Sequence, residues 1–200
     1  MRQNFSENKI SVHDYISFFY MIQSIAVFCG SKSGRLTEFT TTAQQLATEL
    51  VKLNIRVIYG GGNKGLMGVI ANTVLNQGGK ITGIIPTLLK DKEHMQTDIL
   101  DMRVVPDMHT RKKMMYEACD AAVVLSGGYG TLDELFEMIT WNQLQIHHKK
   151  ILLLNIDGFY DALVMHLNKI EAFGFDHADW RNYILVFDQV TDMVNWIRAL

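Results

Sequence analysis

The chain has 200 residues, 48% of them hydrophobic and 20% charged, enough apolar surface for one sizeable core and hence for a single domain. Nineteen basic against 21 acidic residues leave a formal net charge of -2, which lacks the positive field that nucleic acid or an anionic membrane surface demands. Two cysteines, Cys29 and Cys119, sit in apolar stretches and read as free buried thiols in a reducing cytoplasm rather than as a disulfide.

Residues 1–23 read as an extension ahead of a domain at 24–200. Its apolar run YISFFYMI (Tyr15–Ile22) is too short to span a bilayer. The flank, with Glu7 and Asp14 beside only Arg2 and Lys9, is a poor leader segment. A short helix or tail packed on the domain is the expectation, with Met21 as an alternative start, in a cytoplasmic protein.

From Ser24 the pattern alternates. SIAVFCG (24–30) is a buried strand, and 37–53 a helix with Phe39, Leu46, Leu50 and Leu53 inward. IRVIYGG (55–61) is the second strand, followed by a helix that ends on a double glycine at 78–79. KITGIIP (80–86) is the third strand, followed by a polar loop to about Asp98. MRVVPD (102–107) is a strand, 108–120 a helix, AAVVLSG (121–127) a strand and 132–144 a helix. KKILLLNI (149–156), a helix at 159–172, NYILVFD (182–188) and a helix at 190–199 complete the chain. Strands apolar on both faces, each followed by a helix, predict an α/β fold. It is a single doubly wound Rossmann-like domain, with a mostly parallel sheet of about seven strands and helices on both faces. Ligands of such sheets bind beyond the carboxyl ends of the strands.

Three motifs fall at those ends. In YGGGNKGLMG (Tyr59–Gly68), Gly60, Gly62 and Gly65 satisfy the G-x-G-x-x-G spacing of a dinucleotide site. The acid expected at the end of the next strand is missing from TGIIPTLL, however. A tight turn needing positive φ and a nucleotide-lining loop are the other readings. In LSGGYGTLDELFEMITW (Leu125–Trp141), Gly127, Gly128 and Gly130 let backbone N–H groups converge over a helix N-terminus, an arrangement suited to a phosphate. Neither a Walker loop nor a nucleophile elbow is present, since no G-K-[ST] follows and Val124 stands where the elbow needs glycine. Thr131 and Glu134 also have capping-box spacing, a purely structural reading of that glutamate. In DMHTRKK (Asp107–Lys113), helical spacing puts Arg111 on the inward stripe with Met108, Met115 and Ala118, where a guanidinium needs an anionic partner. That partner could be a structural carboxylate or a ligand phosphate.

The seven histidines form no zinc pattern, and Lys112-Lys113 and Lys149-Lys150 are short basic pairs with no clear task. The helix at 132–144 is apolar on two stripes, Leu132, Leu135, Phe136 and Ile139 on one and Met138 and Trp141 on the other, and is a candidate homodimer contact.

Together, GGGNKGLMG, DMHTRKKMM and SGGYGTLDELFEMITWNQLQIHHKKILLLN resemble the LOG family, the phosphoribohydrolases that activate cytokinin nucleotides, many of which carry the older label "lysine decarboxylase-like". The similarity runs from about Ser24 to Asp188. Of the family signature P-G-G-x-G-T-x-x-E, the chain keeps Gly127, Gly128, Gly130, Thr131 and Glu134, with Ser126 where proline is usual and Asp133 where glutamate is common. The resemblance implies hydrolysis of the N-glycosidic bond of a nucleoside 5′-monophosphate, AMP or an N6-modified AMP of cytokinin type, to free base and ribose 5-phosphate.

By the same resemblance Glu134 and Arg111 are the catalytic residues. The substrate-binding set is Gly61, Gly62, Glu93, Met108, Lys112, Gly127, Gly128, Tyr129, Gly130, Thr131 and Asp133. No metal or organic cofactor is implied. The expected partners are the nucleotide and a second copy of the chain, with no nucleic acid and no membrane. A decarboxylase would need a Schiff-base lysine with a carboxylate for the pyridoxal ring nitrogen, and nothing marks one. The alternative from another class is a nucleotide or molybdenum-cofactor carrier, because relatives of this fold bind such molecules without cleaving them. A carrier has no need to keep Arg111 and Glu134 together.

Overall fold

Alternating buried runs and amphipathic stretches give seven strands and six α-helices over residues 22–200, the residues described by the computed structural model. The expected N-terminal helix or tail lies outside the described residues except for Ile22, which packs half-buried against the core. In chain order the elements are β1 (Ser24–Phe28), α1 (Thr37–Lys52), β2 (Arg56–Tyr59), α2 (Gly65–Asn76), β3 (Ile81–Pro86), β4 (Asp101–Val105) and α3 (Met108–Ala118). They continue with β5 (Ala121–Val124), α4 (Tyr129–Gln143), β6 (Ile151–Leu154), α5 (Asp161–Ala172), β7 (Ile184–Phe187) and α6 (Val190–Arg198). Every element expected from Ser24 onward is present, and most are a residue or two shorter at an end.

The sheet order is β4-β3-β2-β1-β5-β6-β7, and every pairing is parallel. β1 therefore lies in the middle, flanked by β2 and β5, with Ile25 beside both Val57 and Ala121. Alternate residues feed two cores. Ile25, Val27 and Cys29 of the β1 region face α1, α2 and α6, where Leu46, Leu50, Ile70, Met193 and Ile197 are buried. Ala26 and Phe28 face α3, α4 and α5, where Met115, Tyr116, Leu135, Met138 and Leu167 are buried. Phe39 and Leu53, expected inward on α1, are only half-buried, and Ala43 and Ala47 occupy that face with Leu46 and Leu50.

One boundary matters for function. α4 begins at Tyr129, three residues before the expected 132, with Gly128 as a cap that offers no side chain. Thr131 is therefore the third helical residue and Glu134 the sixth, so the capping-box reading of this pair is overturned. Both side chains are buried, so Glu134 is on this helix for some reason other than starting it. No helix of the described residues is long and apolar enough to cross a membrane.

Candidate active site

The chain runs outward from β1 to β4 on one side of the sheet, then crosses back through α3 to β5 on the other side. Loops after β1 and β5 therefore diverge, and the gap between them is where such folds take ligands. Three backbone hydrogen bonds brace the gap: Leu125 N–H to Phe28 O (2.9 Å), Gly30 N–H to Ser126 O (3.1 Å) and Leu66 N–H to Gly30 O (3.0 Å). Tyr160 adds its hydroxyl to Leu125 O at 2.7 Å.

Arg111 and Glu134 reach this edge from α3 and α4. Asp107 starts α3 by accepting from Thr110 N–H at 2.8 Å and Thr110 Oγ1 at 3.1 Å, so Arg111 lies in the first turn after a firm cap. Arg111 is 6% exposed and Glu134 7% exposed, and Nη2 of the first lies 3.6 Å from Oε1 of the second. That separation is an ion pair but too long for a good hydrogen bond. Burial pushes the Glu134 carboxyl up to about 7 although Arg111 opposes the shift, with Asp133 and Glu93 adding to the rise. Among the described residues the other polar contact of the Arg111 guanidinium is Met108 Sδ, 3.8 Å from Nη1, and its Nε is buried with no hydrogen-bond partner.

Glu93 approaches from the loop between β3 and β4. That loop is clamped to the glycine run after β2: Asn63 N–H reaches Glu93 O (3.0 Å) and His94 O (2.9 Å), Gln96 N–H reaches Gly61 O (3.0 Å), and Lys64 Nζ reaches Lys92 O (2.7 Å). Burial raises the Glu93 carboxyl against the pull of Arg111 and Lys64, and its Oε2 is buried without a hydrogen-bond partner among the described residues. Cys29 is in the same field, and burial followed by Glu134 raises its thiol, which makes it a protonated spacer rather than a nucleophile.

Lys112 takes a different route from its neighbour. Its ammonium, 8% exposed, meets Asp133 at 3.0 Å and Glu137 at 2.5 Å, and Glu137 also accepts from Tyr116 Oη at 3.1 Å. Burial alone would lower its pKa, but the two carboxylates outweigh burial and hold it up. The pair of ion pairs ties α3 to α4 across the base of the site, which fixes Arg111 relative to Glu134.

The glycines of the SGGYGT loop need no left-handed backbone, since none of Gly127, Gly128 and Gly130 has positive φ. At Gly127 the demand is steric: a Cβ would lie 2.6 Å from Thr131 Cβ and 3.0 Å from Gly30 N. At Gly128 and Gly130 a Cβ would meet nothing within 4 Å. Both positions open on free space at the N-terminus of α4. Tyr129, between them, is 93% exposed. A cavity of about 380 Å³ opens on this loop's other flank, where it is bounded by Gly30–Gly34, Phe39, Leu66, Ser126–Tyr129 and Phe159. Arg111, Glu134 and Glu93 are not in its wall.

Of the expected residues, the structure brings Met108, Arg111 and Glu134 together, with Glu93 beside Gly62 and in the field of both Arg111 and Glu134. Lys112 and Asp133 bond to each other. Sequence reasoning missed the GSKSG loop (Gly30–Gly34) after β1, although a glycine closing a central strand was a usable signal. It also missed Glu137, whose role shows only once α3 and α4 are side by side.

The seven-stranded parallel sheet, with β1 at its centre and helices on both faces, makes this an α/β protein of the doubly wound class. Residues 67–197 match the family described as "Possible lysine decarboxylase". The probable cytokinin riboside 5′-monophosphate phosphoribohydrolase LOGL1 of Oryza sativa subsp. japonica is 48% identical over 161 residues, which cover 80% of this chain and 72% of that one. Cytokinin riboside 5′-monophosphate phosphoribohydrolase LOG1 of Arabidopsis thaliana is 42% identical over 170 residues, 85% of this chain and 80% of that one. The chain belongs to this family, the LOG family. Among solved structures, the molybdenum cofactor binding protein of Rippkaea orientalis has a TM-score of 0.66 at 20% identity and covers 88% of this chain and 95% of its own. The molybdenum cofactor carrier protein of Chlamydomonas reinhardtii has a TM-score of 0.67 at 15% identity, with 88% and 96% covered. These two likenesses are in fold alone.

Proposed function

We propose that the protein is a phosphoribohydrolase that cleaves the N-glycosidic bond of a purine nucleoside 5′-monophosphate, AMP or an N6-modified AMP of cytokinin type, to free base and ribose 5-phosphate. The observation that carries this reading is the buried Arg111–Glu134 pair beside a bare glycine turn, in a chain whose relatives named above are phosphoribohydrolases. A carrier needs the turn but has no use for an unsolvated carboxylate.

In this mechanism the 5′-phosphate rests on the amides at Gly127–Thr131, helped by the α4 dipole, with Gly128 and Gly130 giving it close approach. The ribose then faces Glu134. As the C1′–N9 bond breaks, its electron pair leaves with the base and positive charge develops on the sugar. A fixed carboxylate in a dry site stabilises that charge strongly. Glu134 also takes a proton from the water that attacks C1′, and the departing purine takes one up on nitrogen from solvent, so that it is released as neutral base. Arg111 keeps Glu134 ionised and aimed; Glu93, Met108, Gly61 and Gly62 border the base side, and Lys112, with Asp133, holds α3 against α4. Lys112 is a poor Schiff-base candidate, because two carboxylates hold it protonated, so the decarboxylase description does not fit the site.

Glu134 must be ionised for both tasks, and burial pushes its carboxyl up to about 7. Below that pH the free enzyme takes up a proton and loses its carboxylate. kcat/KM should therefore fall tenfold per unit on the acid side of about 7, measured against pH with initial rates.

Gly130→Ala separates ligand space from fold. Alanine in a helical first turn is favourable by up to about 1 kcal/mol, and its methyl meets nothing in the protein. Melting temperature should hold or rise while the KM for AMP rises about tenfold or more. An unchanged KM would remove the phosphate from this turn.

The substrate class is tested by comparing AMP with adenosine. Release of base from the nucleotide alone supports the reading, and equal rates would contradict the role given to the glycine turn. As further parts of the proposal, the protein acts in the cytoplasm as a homodimer. The two-sided apolar character of α4 supports the dimer, with Phe136 at its exposed margin and Leu144 and Ile146 beyond its end.

A further inference from the structure

Gly60, the last residue before the turn that follows β2, has no backbone reason to be glycine. Its φ is not in the left-handed region, unlike that of Gly61 at 81° and Gly65 at 56°. It is buried, so no solvent-side flexibility is gained. The space its side chain would fill is already taken: a Cβ there would lie 3.0 Å from Arg111 Cζ and closer still to Nη2, with Met67 Sδ next at 3.3 Å. Two residues on, a Cβ at Gly62 would be 3.0 Å from Met67 Cε, 3.1 Å from Glu93 Cβ and 3.2 Å from Glu93 Oε2. The two glycines thus form a floor of bare backbone under a cation and a carboxyl.

That floor matters because polar bonds hold Arg111 so loosely. Its contacts are a thioether at 3.8 Å and a carboxylate at 3.6 Å, and Nε has no partner among the described residues. A buried guanidinium held by so little directional bonding is located by shape. We infer that Gly60 is a positioning residue, the berth in which the Arg111 guanidinium lies so that Nη2 faces Glu134. This assignment to the reaction rests on the function proposed above; the steric part does not.

The test is a double-mutant cycle on the full chain with Gly60→Ala, Arg111→Ala and both together, read by thermal melting and by base release from AMP. Gly60→Ala should lower kcat about 100-fold with KM nearly unchanged, because the reacting geometry shifts while the phosphate site stays whole. It should also lower the melting temperature. In the Arg111→Ala background the methyl finds the space empty apart from the flexible Met67 tip, so the same substitution should leave both readouts where Arg111→Ala put them. Wild-type kcat in Gly60→Ala would overturn the inference. So would a melting loss from Gly60→Ala that is equally large with and without Arg111, since glycine would then be needed by the backbone itself. If Gly60→Ala does not fold, the comparison of the double variant with Arg111→Ala still decides. If the wild-type chain itself cleaves no nucleotide, the reaction reading fails, and the melting cycle still reports on the berth alone.

Discussion

Replacing Glu134 by glutamine should cut base release on the order of 10³-fold while AMP still binds with little change in affinity. Glutamine keeps the shape of the side chain but supplies neither the negative charge that offsets the developing ribosyl cation nor a base for the attacking water. The phosphate subsite, formed by backbone at Gly127–Thr131, is left intact. Stability should not suffer. Glu134 is 7% exposed, its carboxyl is pushed up to about 7 by burial, and a neutral amide carries no comparable desolvation cost. A residue kept to cap α4 would behave in the opposite way, with lower stability and retained turnover. The start of that helix at Tyr129, five residues earlier, already argues against a cap. Initial rates, a calorimetric titration with AMP and a melting curve on the same sample distinguish the two roles.

Arg111→Ala should be the second severe variant, for a different reason. Removing the guanidinium leaves Glu134 buried beside Asp133 and Glu93, both of which raise its pKa, with only the more weakly acting Lys112 to oppose them. The carboxyl then stays protonated at neutral pH, and turnover at pH 7 should fall at least 100-fold. The acid limb of the rate profile should move to higher pH, with part of the activity recovered on the alkaline side. Stability carries the same signature. Below the new pKa Glu134 protonates and the vacancy costs little beyond lost packing. Above it an unpaired charge must be buried, and the loss should approach about 3 kcal/mol. A rate profile that keeps its wild-type midpoint would show that Arg111 does not hold Glu134 ionised.

The order of the elements was legible because strands buried on both faces and helices with a single apolar stripe have different periods. Arg111 was legible as an inward cation for the same reason, since helical spacing set it beside Met108 and Met115. Glu134 was legible only as ambiguous: T-x-x-E fits a capping box, and local sequence cannot tell whether a helix starts at 129 or 132. The packing at Gly127, which has Thr131 and the Gly30 backbone as close neighbours, lies outside what that pattern can show. The partner of Lys112 and the berth at Gly60 were out of reach, because both depend on side chains distant in sequence meeting across α3, α4 and the end of β2. The glycine run after β2 shows why motif spacing alone left three readings open. The three glycines of the G-x-G-x-x-G spacing have separate local causes: Gly60 and Gly62 are bare floor positions and Gly65 is left-handed, as is Gly61 between the first two.

Incubation of the wild-type chain with N6-isopentenyl-AMP and with AMP, followed by chromatography of the products, tests the central claim most directly. Free base and ribose 5-phosphate should appear in equal amounts, and the ratio of the two rates identifies the preferred base. Nucleotide recovered intact from both incubations, though bound by the protein, would contradict the hydrolase and leave a carrier in its place.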